Sequence, residues 1–316
     1  MKIFSSVHDV SDVNHLVSEA IRLKSDPFAN ENLGKHKTLG LIFLNPSLRT
    51  RLSTQKAALN LGMQVMVMNM DKEGWALETQ DGIIMNGTTV EHIREAAGVM
   101  GEYCDIIGIR SFPGLKDRNE DYSELIFNKF VQFCGVPVVS LESATRHPLQ
   151  SLADLITIEE LKKTEKPRVV LTWAPHVKPL PQAVANSFAE WMNKADYDFV
   201  ITHPEGYDLA PEFVGNAIVT TNQDEALAGA DFVYVKNWSS YNDYGKILSD
   251  GEGWMMTNEK IKLTNNAGVM HCLPVRRGLE LSHEILDGPN SLVLNQANNR
   301  VWAAQAVLKS ILEASK

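Results

Sequence analysis

Apolar runs rich in Val, Ile and Leu recur along the chain at residues 38–44, 64–70, 104–109 and 136–141. They are too short for helices and too continuous for half-solvated strands, so they predict strands buried on both faces. The intervening segments 50–61, 90–100 and 122–133 carry apolar residues at helical spacing and are long enough to cross between parallel strands. The alternation predicts an α/β domain. It resumes at 168–173, 199–202, 217–219, 231–235, 269–272 and 291–294, which predicts a second sheet of the same kind. Between the halves, Leu149, Leu152, Leu155, Ile156 and Leu161 fall on one helical face, with Pro148 at a first-turn position. A second amphipathic segment, 301–314, is placed to pack back on the first half. The expected architecture is therefore two doubly wound parallel-sheet domains joined by helices, over 1–146 and 147–296, with the C-terminal helix 297–316 returning to the first. The proline-dense segment 176–181 predicts a stiff extended loop, and 237–254, rich in Asn, Ser, Tyr, Asp and Gly, a long one.

Composition narrows the function classes. The chain has 316 residues, 44% of them hydrophobic and 22% charged, values of a protein that folds throughout. Its formal net charge of -9 offers no global positive field for a nucleic acid or an anionic membrane, so any anion must be held by local groups. Cys104, Cys134 and Cys272 form no C-x-x-C pair, which leaves a disulfide framework and a cysteine zinc site without support and points to a reducing compartment. Polar residues interrupt the N-terminal segment, and no run is long and apolar enough for a membrane span, so a soluble cytoplasmic protein is expected. The chain lacks the G-x-G-x-x-G of a dinucleotide fold and the P-loop pattern; Gly251 and Gly253 are followed by Met256 where a third glycine belongs.

Candidate chemistry sits where strands end. The first predicted strand runs into Asn45-Pro46-Ser47-Leu48-Arg49-Thr50-Arg51 and then a helix, which places hydroxyls and a guanidinium beside unpaired helix amides. That is an anion site; alone, it could equally be an N-cap with solvated arginines. The fourth strand leads to Glu142 and then His147-Pro148-Leu149-Gln150, where His147 and Gln150 lie about one helical turn apart and could both donate to one carbonyl oxygen. A late strand ends in His271-Cys272-Leu273-Pro274-Val275-Arg276-Arg277. Singly, a His-Pro is a turn and a strand cysteine is core filler.

Taken in order, S-x-R-T-R, H-P-x-Q and H-C-L-P resemble the aspartate/ornithine carbamoyltransferase family over essentially the whole chain. The resemblance implies that Ser47, Leu48, Arg49 and Thr50 hold the phosphate of carbamoyl phosphate, that His147 and Gln150 hold its carbonyl, and that Cys272 and Leu273 close around the carbamoyl amine. Trp75, Arg110 and Arg300 match further carbamoyl-phosphate contacts. The stretch DFVYVKNWSSYNDYGK replaces the aspartate and Ser-Met-Gly loop with which ornithine enzymes grip a free α-amine. Glu142, His176, Lys236 and Arg276 instead resemble the branch that uses Nα-acylated ornithine. The resemblance thus assigns 1–146 to carbamoyl phosphate and 147–296 to the acylornithine. It also implies a cytoplasmic homotrimer with shared active sites, the Trp75 loop reaching into a neighbour, and a knotted chain threaded past Pro179 and Pro181.

The implied reaction needs an uncharged amine, so the δ-ammonium must lose its proton first; the departing phosphate is the candidate acceptor. Arg110, His147 and Thr50 are the expected catalytic donors to the developing oxyanion, Gln150 and the Leu273 carbonyl fix the amide, and Arg49 with the helix end stabilises the leaving phosphate. Cys272 is expected to make a polar contact near the amine rather than to attack. A cysteine hydrolase and a non-enzymic anion-binding protein are the rival readings. Neither a metal nor a cofactor is expected, because carbamoyl phosphate brings its own leaving group. Carbamoyl phosphate is labile in water, so it should bind first, followed by closure. Acetyl-specific relatives carry a glutamate where this chain has Val90, and succinyl-specific ones a neutral residue. The resemblance therefore favours a succinyl over an acetyl substrate, unless Glu91 occupies the glutamate's place.

Overall fold

The computed structural model describes residues 1–70 and 72–315. In chain order the first half forms β1 (Ile3–Phe4), α1 (Val13–Ser25), β2 (Thr38–Phe43), α2 (Leu48–Asn60), β3 (Gln64–Asn69), β4 (Leu77–Glu78), β5 (Glu91–His92), α3 (Ile93–Tyr103), β6 (Ile106–Arg110), α4 (Arg118–Tyr122), α5 (Leu125–Phe133), β7 (Val138–Glu142) and α6 (Pro148–Leu161). The second half adds β8 (Arg168–Trp173), α7 (Ala183–Lys194), β9 (Asp198–Thr202), α8 (Pro211–Val214), β10 (Ile218–Thr220), α9 (Gln223–Leu227), β11 (Phe232–Lys236), α10 (Asn258–Ile261), β12 (Gly268–Met270), α11 (His283–Asp287) and α12 (Val293–Ala314).

Two parallel five-stranded sheets result, ordered β1-β7-β6-β2-β3 and β10-β9-β8-β11-β12. Each is the centre of one compact unit: residues 1–114, 119–149 and 300–316 in the first, 115–118 and 150–299 in the second. The division falls inside α6 and α12. The first core gathers Ile42, Ile93, Ile107, Ile109 and Phe130; the second gathers Val170, Val200, Val233, Val235 and Val269. The β-branched strand residues anticipated from the sequence fill both interiors. Within the first unit the end of α12 is tied down by Gln305, which accepts from Asn60 at 2.9 Å and donates to the Pro27 carbonyl at 2.7 Å.

Position in the sheet determines what meets what. Phe43, Arg110 and Glu142 are register neighbours at the carboxyl ends of β2, β6 and β7, where ligands of open parallel sheets bind. In the second sheet the ends of β8, β11 and β12 lie side by side; Lys236 is the last residue of β11, and His176 and His271 follow β8 and β12.

Three expected elements differ. Residues 291–294 are no strand: Ser291 makes one isolated bridge to Val269, and α12 begins at Val293, well before 301. Buried Gln296, Asn299 and Arg300 on that helix conceal its apolar period. The helix expected over 122–133 is broken by Glu124, whose φ of 52° and ψ of 34° are left-handed. The helix expected from 90 starts at Ile93, because Glu91 and His92 pair with Leu77 and Glu78 as a two-stranded ribbon. No helix among the described residues is long and apolar enough to cross a membrane.

Candidate active site

The N-terminus of α2 opens the first unit's site. Ser47 occupies the N-cap with extended φ and ψ of -154° and 124°, yet its hydroxyl makes no capping bond to the helix. A cap that is not sealed by its own side chain leaves amide donors and the positive end of the helix dipole for an anion. Leu48 is exposed, and Thr50, in the first turn, is buried.

Thr50 meets a second anticipated residue: the Arg300 guanidinium donates to its Oγ1 at 2.8 Å. A hydroxyl that accepts from a cation keeps its own proton to donate elsewhere. Arg300 Nη1 and Glu142 Oε2 each lie 3.4 Å from His147 Nε2, and Arg110 donates to the same Glu142 oxygen. The first unit thus brings together Thr50, Arg110, Glu142, His147 and Arg300, all nearly excluded from water. Burial, followed by the charges of Arg300, Arg110 and Arg49, holds the His147 pKa well below its ordinary 6.5. The ring is neutral at pH 7. Its Nδ1 and the Arg110 Nε are buried without a hydrogen-bond partner among the described residues. A cationic, water-poor cluster with such unmet polar atoms is suited to an oxygen that acquires negative charge.

Trp75 and Val90 follow β3 in the segment that carries β4 and β5. The Trp75 indole donates to Glu91 at 2.9 Å, the Val90 amide donates to the Ala76 carbonyl at 3.0 Å, and both side chains are exposed.

The second unit builds its own network. Gln150 and Gln296 both donate their side-chain amides to Oδ1 of fully buried Asp154, at 2.7 and 2.8 Å. The Gln150 Nε2 carries a second N–H beside the one aimed at Asp154, and its Oε1 can accept, so the amide can meet either a carbonyl oxygen or an N–H of a substrate. Gln296 Oε1 in turn accepts the His271 amide at 2.8 Å. The Tyr234 phenol lies against Asp154 and Cys272; burial and those neighbours push its pKa well up.

The H-C-L-P turn is fixed by His271. Its Nδ1 accepts the Leu273 amide at 2.9 Å, which requires the ring proton on Nε2, 3.2 Å from Glu280 Oε1. Leu273 holds a φ of 56° and its bond to Pro274 is cis. Burial alone would raise the Glu280 pKa, but the His271 hydrogen bond, the Lys236 charge and the Arg276 amide together bring it down to about 2. Arg276 Nε also donates to His176 Nε2 at 3.1 Å. Lys236 and the Arg276 amide therefore act on Glu280 while the Arg276 side chain holds His176, whereas Glu142 sits with Arg110 in the first unit.

Sequence reasoning missed Glu124, Asp154, Tyr234, Glu280 and Gln296. Only Asp154 carried a signal, since it lies four residues after Gln150 on the same helical face. Among the described residues no group of three or more His, Cys, Asp or Glu is placed to hold a metal ion.

Comparisons with known proteins agree with this geometry. Residues 2–160 match the carbamoyl-P binding domain of aspartate/ornithine carbamoyltransferase, and residues 181–311 match its Asp/Orn binding domain. The N-succinylornithine carbamoyltransferase of Bacteroides thetaiotaomicron is 56% identical over 99% of both chains. The N-acetylornithine carbamoyltransferase of Xanthomonas campestris pv. campestris is 33% identical over 100% of this chain and 99% of its own. Among solved structures, a glutamate-to-valine variant of N-acetyl-L-ornithine transcarbamylase, complexed with carbamyl phosphate and N-succinyl-L-norvaline, superposes with a TM-score of 0.92 at 32% identity, over 98% of this chain and 100% of that one.

Proposed function

The chain belongs to the aspartate/ornithine carbamoyltransferase family, and from that premise we propose that it transfers the carbamoyl group of carbamoyl phosphate to the δ-amine of N2-succinyl-L-ornithine. The products are N-succinyl-L-citrulline and phosphate, and the pathway is arginine biosynthesis. The observation that carries the reaction class is the neutral His147 surrounded by Arg49, Arg110 and Arg300. The 56% identical relatives named N-succinylornithine carbamoyltransferase support the succinyl substrate.

In this mechanism the amine nitrogen attacks the carbonyl carbon, the carbon–oxygen bond to phosphate breaks, and the amine proton leaves with the phosphate. Negative charge grows first on the carbonyl oxygen. Thr50 supplies a hydroxyl proton, Arg110 a guanidinium edge, and His147 the one N–H that a neutral imidazole carries. Ser47, Leu48, Arg49 and the α2 amides take the phosphate as its charge rises, while Arg300 orients Thr50. Loss of one such donor raises the barrier by roughly 3 kcal/mol. Gln150 Oε1 and the Leu273 carbonyl accept the N–H groups of the carbamoyl amide, with Cys272 beside them. His176, Lys236 and Arg276 hold the acylated amino-acid end; this reading makes Glu142 the tether of Arg110 rather than a contact of the acyl substrate.

The same reading makes the protein a cytoplasmic homotrimer, knotted past Pro179 and Pro181, in which Trp75 and Val90 serve a neighbouring site. Exposure of Trp75, Ile84 and Val90 supports it. An active species sedimenting as a monomer would remove this part. Phosphate release from carbamoyl phosphate, dependent on N2-succinyl-L-ornithine and accompanied by a ureido product, tests the reaction itself; hydrolysis without carbamoyl transfer overturns it.

A further inference from the structure

Glu124 is a non-glycine residue held in the left-handed region, at the point where α4 ends and α5 begins. Glycine or asparagine would adopt that backbone at less cost, so a glutamate there has to be retained by what its side chain does. That side chain reaches the segment joining Glu142 to His147. One oxygen, Oε1, accepts from Ser143 Oγ at 2.7 Å, from the Thr145 amide at 2.7 Å and from the Thr145 hydroxyl; Oε2 accepts from the Ala144 amide at 3.2 Å. Two hydroxyls and two amides of three consecutive residues thus converge on one carboxylate. The segment closes on itself as well, through Ser143 N–H to the Arg146 carbonyl at 2.8 Å. Ser143 and Thr145 are both buried. Glu142 precedes this clamped turn and His147 follows it, so the turn sets how the β7 carboxylate and the imidazole stand toward Arg110 and Arg300.

We propose that Glu124 is a positioning residue for the carbamoyl-phosphate site: its carboxylate fixes the 143–145 turn and through it the placement of His147 and Glu142. The inference rests on the carbamoyl-transfer reading of that site. The carboxylate touches no reacting atom; its effect passes through backbone and hydroxyl groups to the imidazole. Misplacement of a donor by a fraction of its bond length lowers turnover without abolishing the fold.

The test uses the full chain with three substitutions. Glu124→Gly relieves the left-handed backbone while deleting the carboxylate, Glu124→Ala deletes it without relief, and Glu124→Gln keeps one oxygen acceptor. The expected result is that Glu124→Gly melts within a few degrees of the unsubstituted protein, yet loses roughly 10- to 100-fold in kcat/KM for carbamoyl phosphate, mainly in kcat. Glu124→Gln should recover to within about threefold. Should Glu124→Gly fail to fold, Ser143→Ala combined with Thr145→Val removes the same bonds from the other side and should show the same loss in kcat. Unchanged kcat/KM in Glu124→Gly or in the double variant, or a Glu124→Gln protein as impaired as Glu124→Gly, overturns the proposal. An unsubstituted protein that transfers no carbamoyl group would instead overturn the reaction reading, so the two failures are distinguishable.

Discussion

Arg110 at the end of β6 donates its guanidinium to Glu142 at the end of β7, its register neighbour, and neither side chain is more than a tenth exposed. A buried pair of this kind is costly to break from one side, because the remaining charge loses its counter-ion. If Glu142 serves chiefly to aim Arg110, Glu142→Gln should lower kcat roughly 100-fold, as loss of a single oxyanion donor does. KM for the acylornithine should stay near its original value. A selective rise in that KM with kcat preserved would return Glu142 to the acyl-binding set. Steady-state kinetics with each substrate varied in turn decide between the two.

Glu280 gives a stability prediction with a definite sign. Its pKa is about 2 in the folded protein against an ordinary 4.5. A depressed carboxyl contributes stability above its unfolded pKa and loses that contribution as pH falls through the folded one. The contribution should disappear as pH falls from about 4.5 to about 2. Urea midpoints measured across that window should fall steeply for the unsubstituted protein and less steeply for Glu280→Gln; parallel curves would show that Glu280 carries no such linkage.

Asp154 Oδ1 accepts one N–H from Gln150 and one from Gln296. In Asp154→Asn the acceptor becomes an amide that can donate as well, so Gln150 and Gln296 are no longer compelled to face it with Nε2. KM for carbamoyl phosphate should rise roughly tenfold, the effect of about 1.4 kcal/mol of lost orientation. Gln150→Glu should be at least as damaging, since it brings a second carboxylate against Asp154. An Asp154→Asn protein with unchanged carbamoyl-phosphate kinetics would show that the amide orientation is set by other contacts.

The sheets were legible because continuous apolar β-branched runs have few other places to go, and the strand ends bearing Ser47, His147 and His271 advertised the site by position. What stayed hidden has one cause. Asp154, Gln296 and Asn299 are polar residues that are buried with partners far away in sequence, and Glu280 is buried against His271 and Arg276 only because a turn brings them back to it; a single sequence shows the polarity but not the partner. The same effect hid the first turns of α12 behind Gln296 and Arg300. Glu124 falls inside the helix expected over 122–133, although it caps the start of α5 and clamps the turn before His147. Glu142 resembles an acyl-reading residue by its place in the sequence, and its pairing with Arg110 follows from the β6–β7 register, which only the folded sheet displays.

Val90 offers the sharpest test of substrate choice. A succinyl group ends in a carboxylate, and a glutamate within 4 Å would oppose it by about 4 kcal/mol at an effective dielectric near 20. Val90 is 66% exposed in the single chain, so water would screen part of that repulsion unless a neighbouring subunit covers it. N2-succinyl-L-ornithine should therefore be used with a much higher kcat/KM than the Nα-acetyl compound, and Val90→Glu should move the ratio toward acetyl by roughly tenfold or more. The adjacent Glu91 is the alternative gate, but its carboxylate accepts from the Trp75 indole at 2.9 Å, which occupies it with the loop's own structure. Glu91→Gln should accordingly leave the succinyl-to-acetyl ratio nearly unchanged. A ratio that responds to Glu91→Gln and ignores Val90→Glu would transfer the gate to Glu91; a ratio near one in the unsubstituted protein would remove the succinyl assignment altogether.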